Sequence, residues 1–178
     1  MKREKGRSRS DWIQSALEQY EGPLIRYAYG IVRNPEKARD VVQDTFLALC
    51  RADRDKIENR LAPWLYTVCR NRALDIVRKK GRIVQIETEF LESFKANEPM
   101  PSEMLELKEK AQKVMEVMDM LPENQREVIH LKFQEGLSYK EISEVTGHSV
   151  SNVGFLIHVG IKTIREKLGK KLLMDLAI

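Results

Sequence analysis

Residues 137–158 read Leu-Ser-Tyr-Lys-Glu-Ile-Ser-Glu-Val-Thr-Gly-His-Ser-Val-Ser-Asn-Val-Gly-Phe-Leu-Ile-His, a pattern that leaves the chain little freedom: a helix, a glycine turn and a second helix. Ser138 followed three positions later by Glu141 forms a capping box, which starts a helix, and Ile142 and Val145 give that helix a short buried stripe. Gly147 supplies the positive φ of a tight interhelical turn. Ser149 caps the second helix, on which Val150, Val153, Ile157, Ile161, Ile164 and Leu168 share one side at helical spacing. The opposite side collects Ser151, Phe155, His158, Lys162 and Arg165. Hydrogen-bonding and cationic side chains around an exposed ring suit a helix laid in a DNA major groove, where the ring can meet a thymine methyl. Phe155 alone fits packing against a neighbouring domain equally well; the turn and the caps together favour DNA.

The net charge of +4 hides an asymmetry. Residues 1–83 carry 19 Lys/Arg against 11 Asp/Glu, residues 84–121 carry 4 against 9, and residues 122–178 carry 8 against 7. A basic first part favours a polyanionic partner, and an acidic middle is repelled by nucleic acid unless it lies away from the phosphates. The pattern predicts two lobes and a spacer. With 42% hydrophobic residues in 178, the chain can hold two small cores. It has neither a run of about 18 apolar residues nor a charged-then-apolar leader, so a cytoplasmic protein without stable membrane insertion is expected. Cys50 and Cys69 stand far apart with no CxxC or Cys/His cluster, arguing against a zinc site or disulfide framework. His130, His148 and His158 lack metal-ligand spacing, and no phosphate-cradling glycine loop or nucleophile–base set is present. No metal, cofactor or catalytic residue is therefore expected.

Strand signals are nearly absent, so the fold class is all-α. Residues 1–10, with five Lys/Arg, read as a disordered basic arm. Helical periodicity begins at Asp11 and continues to Val32, with Gly22-Pro23 marking a break or kink. Asn34-Pro35 opens a helix running to about Arg51, residues 52–60 suggest a loop, and Pro63 opens a helix ending in Arg78-Lys79-Lys80-Gly81-Arg82. Residues 84–103 lose periodicity and form the linker. A helix from Met104 to Met120, another from Glu123 to about Phe133, and the helix-turn-helix complete the chain.

Two further faces stand out. On the 36–51 helix, Ala38, Val41, Val42, Thr45, Ala48 and Leu49 account for packing, and the other side gathers Asp40, Gln43, Asp44, Leu47 and Arg51. A leucine centred in a polar face suits a protein partner that covers it, although single exposed leucines are also common. On the 64–80 helix, Leu65, Cys69, Ala73, Ile76 and Val77 read as buried, while Trp64, Thr67, Asn71, Asp75 and Arg78 recur along another face. That face, with its basic tail, can stack on or bond to unpaired bases and hold phosphates. The alternative is an intrahelical network of Asn71, Asp75 and Arg78, with Trp64 in the core.

Asp40-Val-Val-Gln-Asp-Thr-Phe46, then Trp64-Leu-Tyr-Thr-Val-Cys-Arg-Asn71 with Asp75 and Arg78, then Leu121-Pro-Glu-Asn-Gln-Arg-Glu-Val128 running into Leu137-Ser-Tyr-Lys-Glu-Ile142, resemble the extracytoplasmic-function (ECF) sigma factors of bacterial RNA polymerase. The match extends from Asp11 to about Gly169, and its specificity lies in the order and spacing of the pieces. The resemblance implies a sigma-2 domain over residues 11–83 and a sigma-4 domain over 104–178, joined by a flexible linker. It implies that Asp40, Gln43, Asp44, Leu47 and Arg51 bind the clamp helices of the largest polymerase subunit, with a further contact at the flap region. The 52–63 segment and the following helix, through Trp64, Thr67, Asn71, Arg78, Lys79, Lys80 and Arg82, would read and open the −10 promoter element. Ser151, Asn152, Phe155, His158, Lys162 and Arg165 would read the −35 element, and an anti-sigma factor is a further implied partner.

Family members often carry Lys or Arg with Ser in the first turns of the recognition helix, where this chain has Asn152-Val-Gly-Phe-Leu156. That departure suggests a different −35 preference or more dependence on Phe155, His158 and Lys162. About 20 linker residues reach at most roughly 70 Å at ~3.3–3.6 Å each, close to two DNA turns of about 34 Å. A stand-alone helix-turn-helix regulator leaves the Asp40–Arg51 face without a purpose. A sigma mimic that sequesters an anti-sigma factor needs neither the basic tail nor a DNA-facing helix.

Overall fold

The computed structural model describes residues 8–80 and 114–174, with side chains over 8–79 and 114–169. Among these residues the structure is helical, without strands, and the chain divides into two compact units, Met1–Ser93 and Phe94–Ile178.

In the first unit α1 spans Arg9–Val32, α2 Pro35–Arg51, α3 Arg54–Ile57 and α4 Leu61–Lys80, with a single 3-10 turn at Glu58–Arg60. Helices α1, α2 and α4 pack on one another. Leu24, Leu49, Leu65 and Tyr66 are fully buried among them, and the Tyr27 and Tyr66 rings meet edge to face at 5.2 Å. That is the geometry aromatic quadrupoles favour. Thr45 is the polar member of this core; its hydroxyl donates to the Val41 carbonyl at 2.7 Å, so its burial leaves no donor unmatched. Cys69 is sealed beside it, and burial pushes its thiol up to about 12 against a smaller lowering by the Thr45 hydrogen bond.

Several sequence expectations change here. Helix α1 begins at Arg9, not Asp11, because Ser8 caps it: the Ser8 hydroxyl accepts from the Asp11 amide, and the Asp11 carboxylate accepts from the Ser8 amide. Ser8, Arg9 and Ser10, assigned to a disordered basic arm, thus belong to the capped helix, and residues 1–7 of that arm lie outside the described residues. Gly22-Pro23 does not break α1. A proline ring clashes with the Cβ of the residue before it; Gly22 has none, and buried Ala16, Leu24, Tyr27 and Ala28 hold the helix on both sides. Residues 54–60 are not a loop but α3 and the 3-10 turn, started by Asp53, whose carboxylate accepts from the Asp55 amide. Helix α4 starts two residues before Pro63, at Leu61. Val77, expected to be buried, is 44% exposed, whereas Phe46 and Tyr66 join the core.

In the second unit, residues 114–119 are helical and lead through Leu121-Pro122 into α5 (Glu123–Phe133). Helix α6 spans Tyr139–Thr146 and α7 Val150–Met174, with Gly169 (φ 75°) breaking the helical geometry near its end. Met118, Leu121 and Ile129 cluster with Val114 and Ile164 packed against them. Helices α5 and α7 approach so closely that a Cβ added to Gly160 would lie 2.5 Å from Ile129 Cδ1. Val150, assigned to the buried stripe of α7, is 47% exposed; as the first helical residue it precedes the packed turns, and Leu156 is buried further along. The 84–103 linker and residues 104–113 of the helix expected from Met104 lie outside the described residues.

Candidate interaction surfaces

Three exposed surfaces carry the residues singled out from the sequence. On α2 the buried set Val41, Val42, Thr45, Phe46 and Leu49 faces the core and turns Asp40, Gln43, Asp44, Leu47 and Arg51 to solvent. Leu47 is 53% exposed at the centre of that face. Asp44 Oδ2 lies 3.0 Å from Arg72 Nη1 on α4, a pair that links this face to the neighbouring helix. The sequence reading missed Arg72: its partner is 28 residues away, beyond the reach of spacing rules within one helix. Both side chains are substantially exposed, so the pair aligns two helices more than it stabilises them.

Along α4, Trp64 and Thr67 are half-buried, while Asn71, Asp75, Arg78 and Lys79 are exposed. The structure thus puts Trp64 in neither extreme. The Thr67 hydroxyl donates to the Pro63 carbonyl at 2.7 Å, so its donor is engaged within the helix. Arg78 and Asp75 form an exposed pair at 3.5 Å, which is one link of the intrahelical network the spacing allowed. The side chains of Lys80 and Arg82 lie outside the described residues.

The third surface is the second helix of the helix-turn-helix. Ser138 accepts from the Glu141 amide at 3.3 Å, and Glu141 Oε2 accepts from the Ser138 amide at 2.7 Å. Hydrogen bonding to its carboxylate from the Ser138 side chain, and then from the Ser138 amide, holds the Glu141 carboxyl below its ordinary value. Gly147 adopts φ 77°, and the Ser143 hydroxyl donates to the His148 carbonyl at 2.6 Å, closing the turn. Ser149 accepts from the Asn152 amide at 3.2 Å and caps α7. With Val153, Leu156 and Ile157 buried below, Ser151, Asn152, Phe155, His158, Lys162 and Arg165 are all exposed, Phe155 at 62%. Lys162 and Glu166 stand 3.9 Å apart, both well exposed. The face therefore offers an apolar centre and a modest cationic end.

A feature that the sequence did not announce is the seat of Tyr139 against α7: a Cβ at Gly154 would meet its ring at 3.5 Å, and Lys132 Nζ lies 5.5 Å from the ring centroid. The glycine in an amphipathic helix was the available signal, since a glycine inside a helix often marks a close neighbour. Among the described residues no group of three or more His, Cys, Asp or Glu side chains is placed to hold a metal ion. No described helix is long and apolar enough to cross a membrane.

Comparison with known proteins falls on the same two units. The family model of sigma-70 region 2 matches residues 16–83, and that of sigma-70 region 4 matches residues 111–164. The chain is 30% identical over 156 residues to the ECF RNA polymerase sigma factor EcfG of Rhodopseudomonas palustris, covering 86% of this chain and 81% of that protein. It is 28% identical over 141 residues to the ECF RNA polymerase sigma factor SigM of Bacillus subtilis, covering 79% and 85%. To the ECF RNA polymerase sigma factor SigE of Mycolicibacterium smegmatis it is 29% identical over 155 residues; the match covers 86% of this chain and 60% of SigE. Its fold resembles that of the sigma factor RpoE in complex with the anti-sigma factor NepR from Bartonella quintana, with a TM-score of 0.64 at 21% identity, covering 87% and 95% of the two chains.

Proposed function

The chain belongs to the extracytoplasmic-function branch of the sigma-70 family, and we propose that it serves bacterial core RNA polymerase as an alternative sigma factor, directing promoter recognition, melting and initiation in the cytoplasm. It binds and positions; polymerase makes the bonds. The α2 face centred on Leu47 docks on the clamp helices of the largest subunit, which removes an exposed leucine from water, and the second unit adds a contact at the flap region. The 52–63 segment and α4 meet the −10 element, with Trp64, Thr67 and Asn71 near the bases and Arg78 and Lys79 on phosphates. Lys80 and Arg82 extend that basic tail. Contacts to the melted strand offset the unstacking of a flipped base, a few kcal/mol. The exposed face of α7 from Ser151 to Arg165 enters the major groove of the −35 element.

One observation supports this reading: a leucine-centred α2 face and the Phe155-centred polar face of α7 are both exposed on one chain whose two units match sigma-70 regions 2 and 4. A stand-alone regulator has no use for the first, and a mimic that only captures another protein has no use for the second. An anti-sigma factor is the expected further partner: this chain's fold resembles that of RpoE, solved in complex with the anti-sigma factor NepR, and that of CnrH, solved in complex with the cytosolic domain of CnrY. Run-off transcription with purified core polymerase on genomic fragments tests the proposal. Discrete transcripts that require the added protein are expected; DNA binding without core-dependent initiation would refute it.

A further inference from the structure

The first turn of α1 is tied to the segment that follows α2. Arg9 Nη2 donates to the carbonyl oxygens of Cys50, at 2.9 Å, and Ala52, at 2.7 Å. Cys50 lies in the last turn of α2, and Ala52 is where the backbone leaves the helix for extended geometry (φ −72°, ψ 153°). Carbonyls at a helix C-terminus lack intrahelical donors and carry the negative end of its dipole, so one guanidinium satisfies both and fixes the exit direction. One turn along α1, buried Trp12 lies under the Arg54 guanidinium, whose carbon is 5.4 Å from the ring centroid. Arg54 in turn grips Glu58 Oε1 through Nε at 3.1 Å and Nη2 at 2.6 Å, joining α3 to the 3-10 turn. The Ser8–Asp11 capping box holds the start of α1, and with it Arg9 and Trp12.

A helix of four residues is far too short to persist by its own hydrogen bonds. Its conformation depends on what holds it: Ile57 is buried and Asp53 caps its start, and two side chains of α1 complete the hold, Arg9 on the end of α2 and Trp12 under Arg54. We propose that Arg9 and Trp12 are positioning residues for promoter selectivity: they fix the end of α2 and α3 in the conformation that meets the −10 element. This rests on the reading that the 52–63 segment contacts that element. A segment free to rearrange accommodates a mismatched base more readily, so loosening the latch lowers discrimination between bases while leaving the α2 docking face intact.

The test uses the full chain with core polymerase and promoters that differ by single bases in the −10 element at a constant −35 element. Open-complex formation is read by 2-aminopurine fluorescence. Arg9→Ala, whose side chain is solvent-facing, and Trp12→Phe, which keeps a ring in the core, are compared with the parent and with Asn59→Ala/Arg60→Ala within the segment itself. Arg9→Ala is expected to reduce discrimination between the preferred and the mismatched base about fivefold, the size of a weak single-mismatch penalty. Affinity for core and binding to an isolated −35 duplex stay unchanged, and Arg9→Lys, which keeps one donor and the charge, restores part of the discrimination. An unchanged base preference in Arg9→Ala, with a changed one in Asn59→Ala/Arg60→Ala, overturns the positioning role and leaves the −10 reading standing. If neither shifts the preference, the −10 reading falls and the proposal with it. Equal losses of core affinity and base preference mean general damage and also overturn it.

Discussion

Glu141 is held by Ser138 at the start of α6, and the turn into α7 follows directly from that helix. Its carboxyl is held below its ordinary value chiefly by the Ser138 hydrogen bonds. A group with a depressed folded value contributes stability that is complete above the unfolded value and is lost as pH falls through the folded one. Acidification below the ordinary glutamate range is therefore expected to weaken the helix-turn-helix, and Ser138→Ala to lower its stability by about 1 kcal/mol at neutral pH. Circular dichroism melts across the acid range check this; Ser138→Ala should show the flatter pH dependence, and parallel curves would remove the cap as the cause. The capping box itself was legible from Ser138 and Glu141 alone, because both partners sit within one helical turn. The Arg9 latch was not, since its acceptors are backbone atoms 41 and 43 residues away that carry no residue-type signature.

Helix α2 shows what an element can expose at little structural cost. Asp44 and Leu47 lie on its outer face, and the Asp44–Arg72 pair is exposed enough to contribute only about 0–1 kcal/mol. The double variant Asp44→Ala/Leu47→Ala should keep its melting midpoint close to the parent's while losing roughly tenfold in affinity for core polymerase, the loss expected when one interface anchor is truncated. Competition against the unmodified chain measures it, and an unchanged affinity would reassign the face. Helix positions followed from periodicity wherever one side is buried throughout, as in α2 and the first turns of α7. Periodicity misplaced Val77 and Val150 because it assigns a face to every turn, including those beyond the packed ones. It also read Gly22-Pro23 as a break or kink; the helix is not broken there, because packing on both sides overrides the local signal.

For the whole chain, the two units matter together. In the proposed role each supplies a DNA contact of few cations: α7 places exposed Phe155 at the centre of its outer face and pairs Lys162 with Glu166, and α4 presents Arg78 beside Asp75. Run-off from a promoter stripped of either the −10 or the −35 element should therefore fall by at least an order of magnitude, given that each lost base contact costs about 1–3 kcal/mol. Initiation that survives loss of one element undiminished would show that one unit suffices. Order and spacing of motifs made this two-part reading available from sequence, because they span both units; the ties within a unit needed coordinates.

The close crossing of α5 and α7 bears on how such a chain changes over generations. A methyl group added at Gly160 would fall 2.5 Å from Ile129 Cδ1, while Ile129 Cγ1 and Gln125 Cβ would remain at ordinary contact distance, 3.6 and 3.5 Å. Alanine at 160 alone forces the Ile129 side chain to turn; valine at 129 alone leaves a small void. Made together, the two changes move one methyl group from one helix to the other at nearly constant volume. Positions 129 and 160 are in that sense a single heritable unit, and drift at one constrains which mutations survive at the other.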